Sequence, residues 1–398
     1  MIRAPMPSGS PPENDGFAAR LAVFYAASIM ALGIGMPLFP LWLRARGLDA
    51  QAIGVVLTVP LVVRTLAIPL AARAADRLNA LRASLLVAAL GGTLGYTIVA
   101  FAGGALAIIA GVALAAAFFT PILPLTDAYA LKGLGTRGRA YGPVRLWGSV
   151  AYIIGNFAAG FAIDSLAPQA LIWLIVASSA LTAAAAISLA PLGPPLGTAA
   201  LAEAAPAARL LRNPAFIAVI AAASLIQASH AVYYGFSTLA WIAGGFDGKA
   251  VAALWSLGVA AEIVLFALSA RLPTWLTPLR LIMLGGAAGV LRWSVMALDP
   301  PAILLPALQC LHGLSFGATH LGALGLLARL APSGLAARAQ GYLALALGLV
   351  TAAATSVSGV FYAAYGEHAY AAMALAALAG GVCALAAQRF TREVVHAA

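Results

Sequence analysis

The chain has 398 residues, of which 63% are hydrophobic and only 9% charged, a surface no water-soluble domain of this size could carry. The formal charge is +10, but the basic residues are spread over many short loops rather than gathered on one soluble face, which excludes a nucleic-acid binder. Apolar runs of about 20 residues follow one another with short breaks, which excludes a β-barrel and gives an all-α membrane protein.

Residues 1–16 are rich in Pro and Ser, carry Glu13 and Asp15, and lack the basic start and short apolar core of a cleavable signal. A disordered N-terminal tail is expected there. Six spans follow, near 18–43, 51–71, 83–102, 105–131, 144–164 and 168–190, forming an N-terminal bundle over 17–190. Residues 191–213, beginning PLGPPLG, are Pro-, Gly- and Ala-rich and make a linker. A second bundle over 214–388 has spans near 215–242, 250–270, 280–298, 302–330, 339–364 and 368–388, leaving a C-terminal tail at 389–398. The fold class is therefore twelve transmembrane helices in two six-helix halves. On one side the loops hold only Arg44, Arg46 and Lys249, while the termini and alternate loops carry nearly all the other bases, so the positive-inside rule puts both termini and the linker in the cytoplasm.

The halves align without gaps at an offset of 198 residues. Gly47 and Asp49 fall on Gly245 and Asp247, each pair placed where glycine permits a turn and aspartate caps the next helix. The same register sets Arg64 opposite Glu262.

Ionisable groups inside the spans cost roughly 2.5 to 3.5 kcal/mol for each charged Arg or Asp facing lipid, so they must be paired, neutral or beside water. Arg64, Glu262, Arg292 and His320 are expected close to the midplane. Glu262 and Arg292, on consecutive antiparallel helices, are candidates for a structural salt bridge or, alternatively, for proton coupling at the carboxylate. Arg64 and Arg292 are candidates for holding an anion, because guanidinium stays charged and matches a carboxylate with two parallel hydrogen bonds. Asp127 sits in TPILPLTDAYA, where Pro121 and Pro124 interrupt the helix; Arg145, in the next span, is its expected partner in a gate or clasp. His230 and Tyr234, four apart, share a helix face approximately with Gln227 and Ser237, and Tyr233 adds a second ring. His312 and His320 are eight apart, about 80° round a regular helix, so both could face one cavity. His230, His320 and Asp127 join Glu262 as proton-coupling candidates; ordinary hydrogen bonding between helices is the alternative for each histidine. Asp76 and Arg77, in AARAADRLNALR, fall in the loop after the second span, either as a charged latch between halves or as a basic loop that sets topology. This loop is similar to the signature of major facilitator proteins, with Ala72 where the first glycine is expected.

PLTDAYA, YGPVRLWGSVAYIIG, SHAVYYGFS, LWSLGVAAEIVLFALS, GVLRWSVM and the His312 to His320 segment, in this order along the chain, resemble the phenylpropionic acid transporter family of the major facilitator superfamily. The resemblance implies a major facilitator fold and proton-driven uptake of 3-phenylpropionate or a related small aromatic carboxylate by alternating access. In that setting Tyr233, Tyr234 and Phe39 would pack the substrate ring, an arginine or His312 would hold its polar end, and Glu262 or a histidine would carry the proton. The alternative on the same fold is proton-coupled symport of a sugar or nucleoside, or drug efflux. An enzyme is not expected, since no metal or nucleophile constellation is present, and no cofactor is called for. The expected partners are an organic acid, protons and the lipid of a bacterial cytoplasmic (inner) membrane, with the chain acting as a monomer.

Overall fold

A computed structural model of the chain describes residues 16–192, 208–331 and 335–396. The first half contains α1 (Phe17–Ala45), α2 (Ala50–Arg77), α3 (Leu81–Phe101), α4 (Ala105–Gly135), α5 (Tyr141–Ser165) and α6 (Pro168–Ile187). The second contains α7 (Pro214–Ala243), α8 (Gly248–Arg271), α9 (Pro278–Met296), α10 (Ala302–Leu330), α11 (Ala336–Tyr365) and α12 (Tyr370–His396). Eleven apolar stretches are long enough to cross a membrane; the last, Arg338–Phe390, folds back at Gly366 (φ 58°) into α11 and α12, which makes twelve spans among the described residues. All twelve expected spans are present, and the chain is a multi-pass membrane protein.

Three spans are interrupted. In α4 the break falls at Thr120 and Pro121, which lacks a backbone N–H; the Thr120 hydroxyl donates to the Ala116 carbonyl at 2.7 Å. α7 breaks at Ser229 and His230. In α10 a π-helical turn spans Gly313–Ala318, a widening of the helix that often accompanies functional sites.

The repeat is visible in the caps. Gly47 and Gly245 have φ of 84° and 86°, and the Asp49 and Asp247 carboxylates each accept from the backbone N–H three residues on, both at 2.8 Å. Both second helices thus start the same way.

The halves are joined mainly where α2 packs on α11 and α5 on α8, with a smaller contact of α1 on the second segment of α7. The two main contacts are closest at the end remote from the termini. There Gly160 and Gly248 approach so closely that a Cβ on either would collide with the other's carbonyl oxygen, and the Asp164 carboxylate accepts from the Gly248 N–H at 2.7 Å. Gly54 and Gly359 make the same kind of approach between α2 and α11. One continuous apolar core, including Ile34, Trp42 and Val56 with Trp241, Val251 and Trp255, runs through both halves at this remote end. At the terminal end the core is split in two: Phe24, Leu85 and Tyr129 belong to one half, and Phe216, Ile282 and Leu326 to the other. The molecule is closed at one end and parted at the other.

Several expected boundaries move. α2 continues to Arg77, because AARAADR is a good helix former, so Asp76 and Arg77 stand exposed on its last turn rather than in a loop. Among the described residues neither makes an ion pair. α12 runs to His396, through most of the segment expected as a tail. The linker at 191–213 and the tail at 1–16 lie largely outside the described residues; at the linker's end a short helix covers Ala208–Leu211.

Candidate functional site

Where the halves part lies a cavity of ≈ 1050 Å³, open toward the terminal end past Tyr141, Gly142, Ala267 and Leu324. Its floor is aromatic, made by Tyr233, Tyr234 and Trp255. α1 supplies Ile29 and Met36, α5 supplies Arg145 and Tyr152, α8 supplies Glu262, and α10 supplies His312, Phe316 and His320. Of the ionisable groups expected within the spans, this single space receives Glu262, His312 and His320, along with Arg145.

Glu262 does not bridge to Arg292. His312 stands between them. Arg292 is fully buried, and its guanidinium donates from Nη1 to His312 Nδ1 at 3.2 Å and from Nη2 to Gln309 Oε1 at 2.6 Å. It also lies over two rings, with Cζ 4.5 Å from the centroid of Tyr233 and 4.4 Å from that of Trp293. A guanidinium has only donors, so the His312 Nδ1 that receives it must be unprotonated. The His312 proton is therefore on Nε2, which faces the Glu262 carboxylate at 3.8 Å. The result is a row with Arg292 as its donor at the centre, giving one N–H to Gln309 and another to His312, which fixes the imidazole tautomer so that the imidazole presents its own N–H to Glu262. Arg292 reaches the cavity only through His312, contrary to its expected place as a direct anion ligand.

From the other half, Arg145 lines the same cavity as Glu262. The expected clasp between Arg145 and Asp127 is not formed. Asp127 Oδ1 instead accepts from Tyr25 at 2.5 Å and from Tyr141 at 2.9 Å, two hydroxyls that satisfy it without a cation. Arg145 lies over the Tyr25 ring, Cζ 5.5 Å from its centroid, and extends along α5 above Gly148 into the cavity.

The remaining candidates divide. His230 is fully buried: Nδ1 contacts the Ile226 and Gln227 carbonyls at 3.2 and 3.1 Å, so it carries the proton, and Nε2 accepts from the Ser315 hydroxyl at 3.1 Å. A neutral imidazole satisfied at both nitrogens and sealed from the cavity is a structural cross-brace between α7 and α10. His320 lines the cavity with its ring against Phe316 and has no hydrogen bond among the described residues. Tyr234 stacks between His230 and Trp255, at 5.7 and 6.3 Å. Tyr233 packs on Trp255 at 4.6 Å and carries Arg292 on its face. Arg64, the symmetry mate of Glu262, lies outside the cavity, on α2 against Gly348 of α11, and makes no ion pair among the described residues. Phe39 is also absent from the main cavity; it stacks on Trp42 at 5.9 Å and lines a smaller chamber next door.

Sequence reasoning did not single out Gln309, Trp255, Trp293, Tyr25, Tyr141 or Tyr152. A signal existed for two of them: Gln309 is a polar side chain three positions before His312 in an apolar span, and Tyr141 opens the YGPVR stretch that carries Arg145.

Residues 18–372 match the MFS_1 like family. A probable 3-phenylpropionic acid transporter of Escherichia coli (strain K12) is 34% identical over 366 residues, covering 90% of this chain and 94% of that one. A maltose permease of Geobacillus stearothermophilus is 30% identical over 328 residues, covering 80% of this chain and 81% of that one. Among solved structures, the nucleoside transporter NupG superposes with a TM-score of 0.82 at 16% identity, over 94% of this chain and 99% of NupG. A peptide transporter in complex with alafosfalin gives 0.73 at 14% identity, over 96% of this chain and 97% of that chain. At such identities the structural likeness speaks for the fold alone; all these relatives and neighbours are transporters, and none is an enzyme.

Proposed function

Because this chain belongs to the MFS_1 like family, and is therefore a secondary transporter of the major facilitator superfamily, we propose that it imports a small aromatic carboxylate such as 3-phenylpropionate together with protons. The observation that carries this reading is that Arg145 from one half and Glu262 from the other line a single aromatic-floored cavity.

The mechanism follows from competition for one cation. With Glu262 ionised, its carboxylate attracts Arg145 and the two halves are held by unlike charges. A proton arriving on Glu262 removes that attraction and leaves Arg145 free to take a substrate carboxylate through two parallel hydrogen bonds. Proton and anion are thus favoured together, which is what cotransport requires. The substrate's ring lies on apolar and aromatic walls, while His312, held in one tautomer by Arg292, gives the acid a fixed N–H neighbour. In this reading Glu262 carries the proton, with His320 the remaining titratable candidate on the wall; His230 and Asp127 are structural.

The positive-inside distribution supports a terminal end in the cytoplasm of a bacterial inner membrane, and in this reading the open cavity is the inward-facing state. Rocking about the α5–α8 and α2–α11 contacts would open the remote end and close this one. The wall chemistry, a guanidinium among rings, favours an aromatic acid over the sugar or nucleoside alternative, which would call for several amide and carboxylate side chains aimed at hydroxyls.

The test is substrate-driven proton movement in proteoliposomes, with aromatic acids, sugars and nucleosides offered in parallel. Internal acidification on adding 3-phenylpropionate is the expected result. A response confined to a sugar or nucleoside would replace the substrate assignment, and transport without proton movement would remove the coupling.

A further inference from the structure

Beside the main cavity is a second chamber of ≈ 200 Å³ between α1, α2, α3, α4, α6 and α7. Met36 and Tyr234 line both spaces and so mark the doorway between them. Its interior is mostly apolar, Ser179 being the one non-aromatic polar side chain in its lining, and Phe39, Tyr96 and Phe119 are placed edge to face in series: Phe39 to Tyr96 at 6.5 Å and Tyr96 to Phe119 at 6.0 Å. Leu57 adds an aliphatic wall, and at Gly35 the structure leaves open space where a side chain would stand.

Size and chemistry define what such a chamber takes. An apolar protein cavity of about 150 Å³ holds a benzene molecule, so a chamber of this size has room for one phenyl ring and little more. Three rings presenting edges and faces to the space offer the geometry aromatic pairs prefer.

We propose that this chamber is the receptor for the aromatic ring of the substrate, and that its separation from Arg145 selects the length of the tether between ring and carboxylate. The proposal rests on the aromatic-acid reading above. The Ile29 side chain and the Arg145 guanidinium meet over Gly148, while Met36, at the doorway, lies seven residues further along α1, roughly 10 Å at 1.5 Å per residue. A carboxylate bound at Arg145 reaches the doorway with its ring only if two or three carbons separate them. Benzoate, with none, stays in the main cavity and leaves the chamber empty.

The experiment measures competition by benzoate, phenylacetate, 3-phenylpropionate and 4-phenylbutyrate against radiolabelled 3-phenylpropionate, using the full chain in proteoliposomes. The wild type should favour 3-phenylpropionate over benzoate by at least about tenfold, since single methylenes in apolar pockets are worth roughly 10- to 200-fold. Gly35→Leu fills the chamber and should lower the 3-phenylpropionate to benzoate affinity ratio at least tenfold. Leu57→Ala enlarges it and should admit 3-(2-naphthyl)propionate, which the wild type excludes; this gain decides the matter if Gly35→Leu fails to fold. An unchanged ratio in folded Gly35→Leu, or no naphthyl gain in Leu57→Ala, overturns the chamber while leaving the transport reading intact. A wild type that binds none of the four acids overturns both.

Discussion

His312 offers a sharp separation between a fixed bridge and a proton carrier. Its Nδ1 accepts from Arg292 at 3.2 Å, and its Nε2 faces Glu262 at 3.8 Å, too long for a strong hydrogen bond. The part at stake is therefore mainly the charged contact to Arg292, a fully buried guanidinium whose Nε already lacks a hydrogen-bond partner. Replacing His312 by Phe keeps an aromatic ring but removes the acceptor, at a cost of about 1.5 to 3 kcal/mol for a hydrogen bond to a charged group. This corresponds to a loss of roughly 10- to 150-fold if it falls on the transport-competent state. Replacing it by Gln restores both roles, since the side-chain carbonyl can accept from Arg292 and the amide can donate toward Glu262. Accumulation of radiolabelled 3-phenylpropionate under an imposed pH gradient should therefore fall at least tenfold in His312→Phe and stay within about fivefold of wild type in His312→Gln. The melting temperature in detergent should drop in the first variant and recover in the second. Gln cannot titrate, so equal loss of accumulation in the two variants, with stability recovered in Gln, would refute the bridge and make His312 the proton carrier.

Arg145→Gln should abolish saturable binding of 3-phenylpropionate, while Arg145→Lys, which keeps charge but loses the two-pronged geometry, should weaken it about tenfold, as read by substrate competition. Thermodynamic cycles on unfolding in detergent should give Tyr25 and Asp127 a coupling of about 1 to 2 kcal/mol, and Arg145 and Asp127 no more than about 0.5 kcal/mol, since tyrosine hydroxyls rather than the arginine hold the acid. A larger Arg145 coupling would restore the ionic clasp. Gly160→Leu should push α5 off α8 at the remote end, and an overpacking cost of about 1 to 3 kcal/mol moves the population roughly 5- to 150-fold from the terminal-side-open state. Alkylation of a Ser149→Cys reporter from the terminal side would then slow by at least fivefold; unchanged alkylation would show that the contact is not a pivot.

The twelve spans were legible because hydropathy needs no tertiary information, and the repeat because Gly47 with Asp49 and Gly245 with Asp247 fix local geometry at helix starts. Of the four groups expected near the midplane, Glu262 and His320 line one cavity, while Arg64 and Arg292 do not. Direction around the helix was not legible. Spacing put Arg292 beside Glu262, but the imidazole of His312 fills the gap between α8 and α9. His312 and His320 line the same wall with a π-turn between them, and its extra width takes out part of the 80° offset of a regular helix. Arg145 seemed bound to Asp127 because opposite charges at a membrane edge suggest a pair, yet two tyrosines, Tyr25 from a distant span and Tyr141 from the start of α5, satisfy the acid first. Arg64 shows that symmetry of sequence does not ensure symmetry of function, since the same position in the two halves faces different neighbours.

The most direct measurement compares Glu262→Gln with wild type in proteoliposomes for two activities, uphill accumulation of 3-phenylpropionate driven by a pH gradient and exchange of internal for external substrate without one. A neutral amide mimics the protonated acid, so exchange should persist while accumulation collapses to the level without a gradient. Accumulation equal to wild type in this variant would contradict competition between proton and substrate at the Arg145–Glu262 pair.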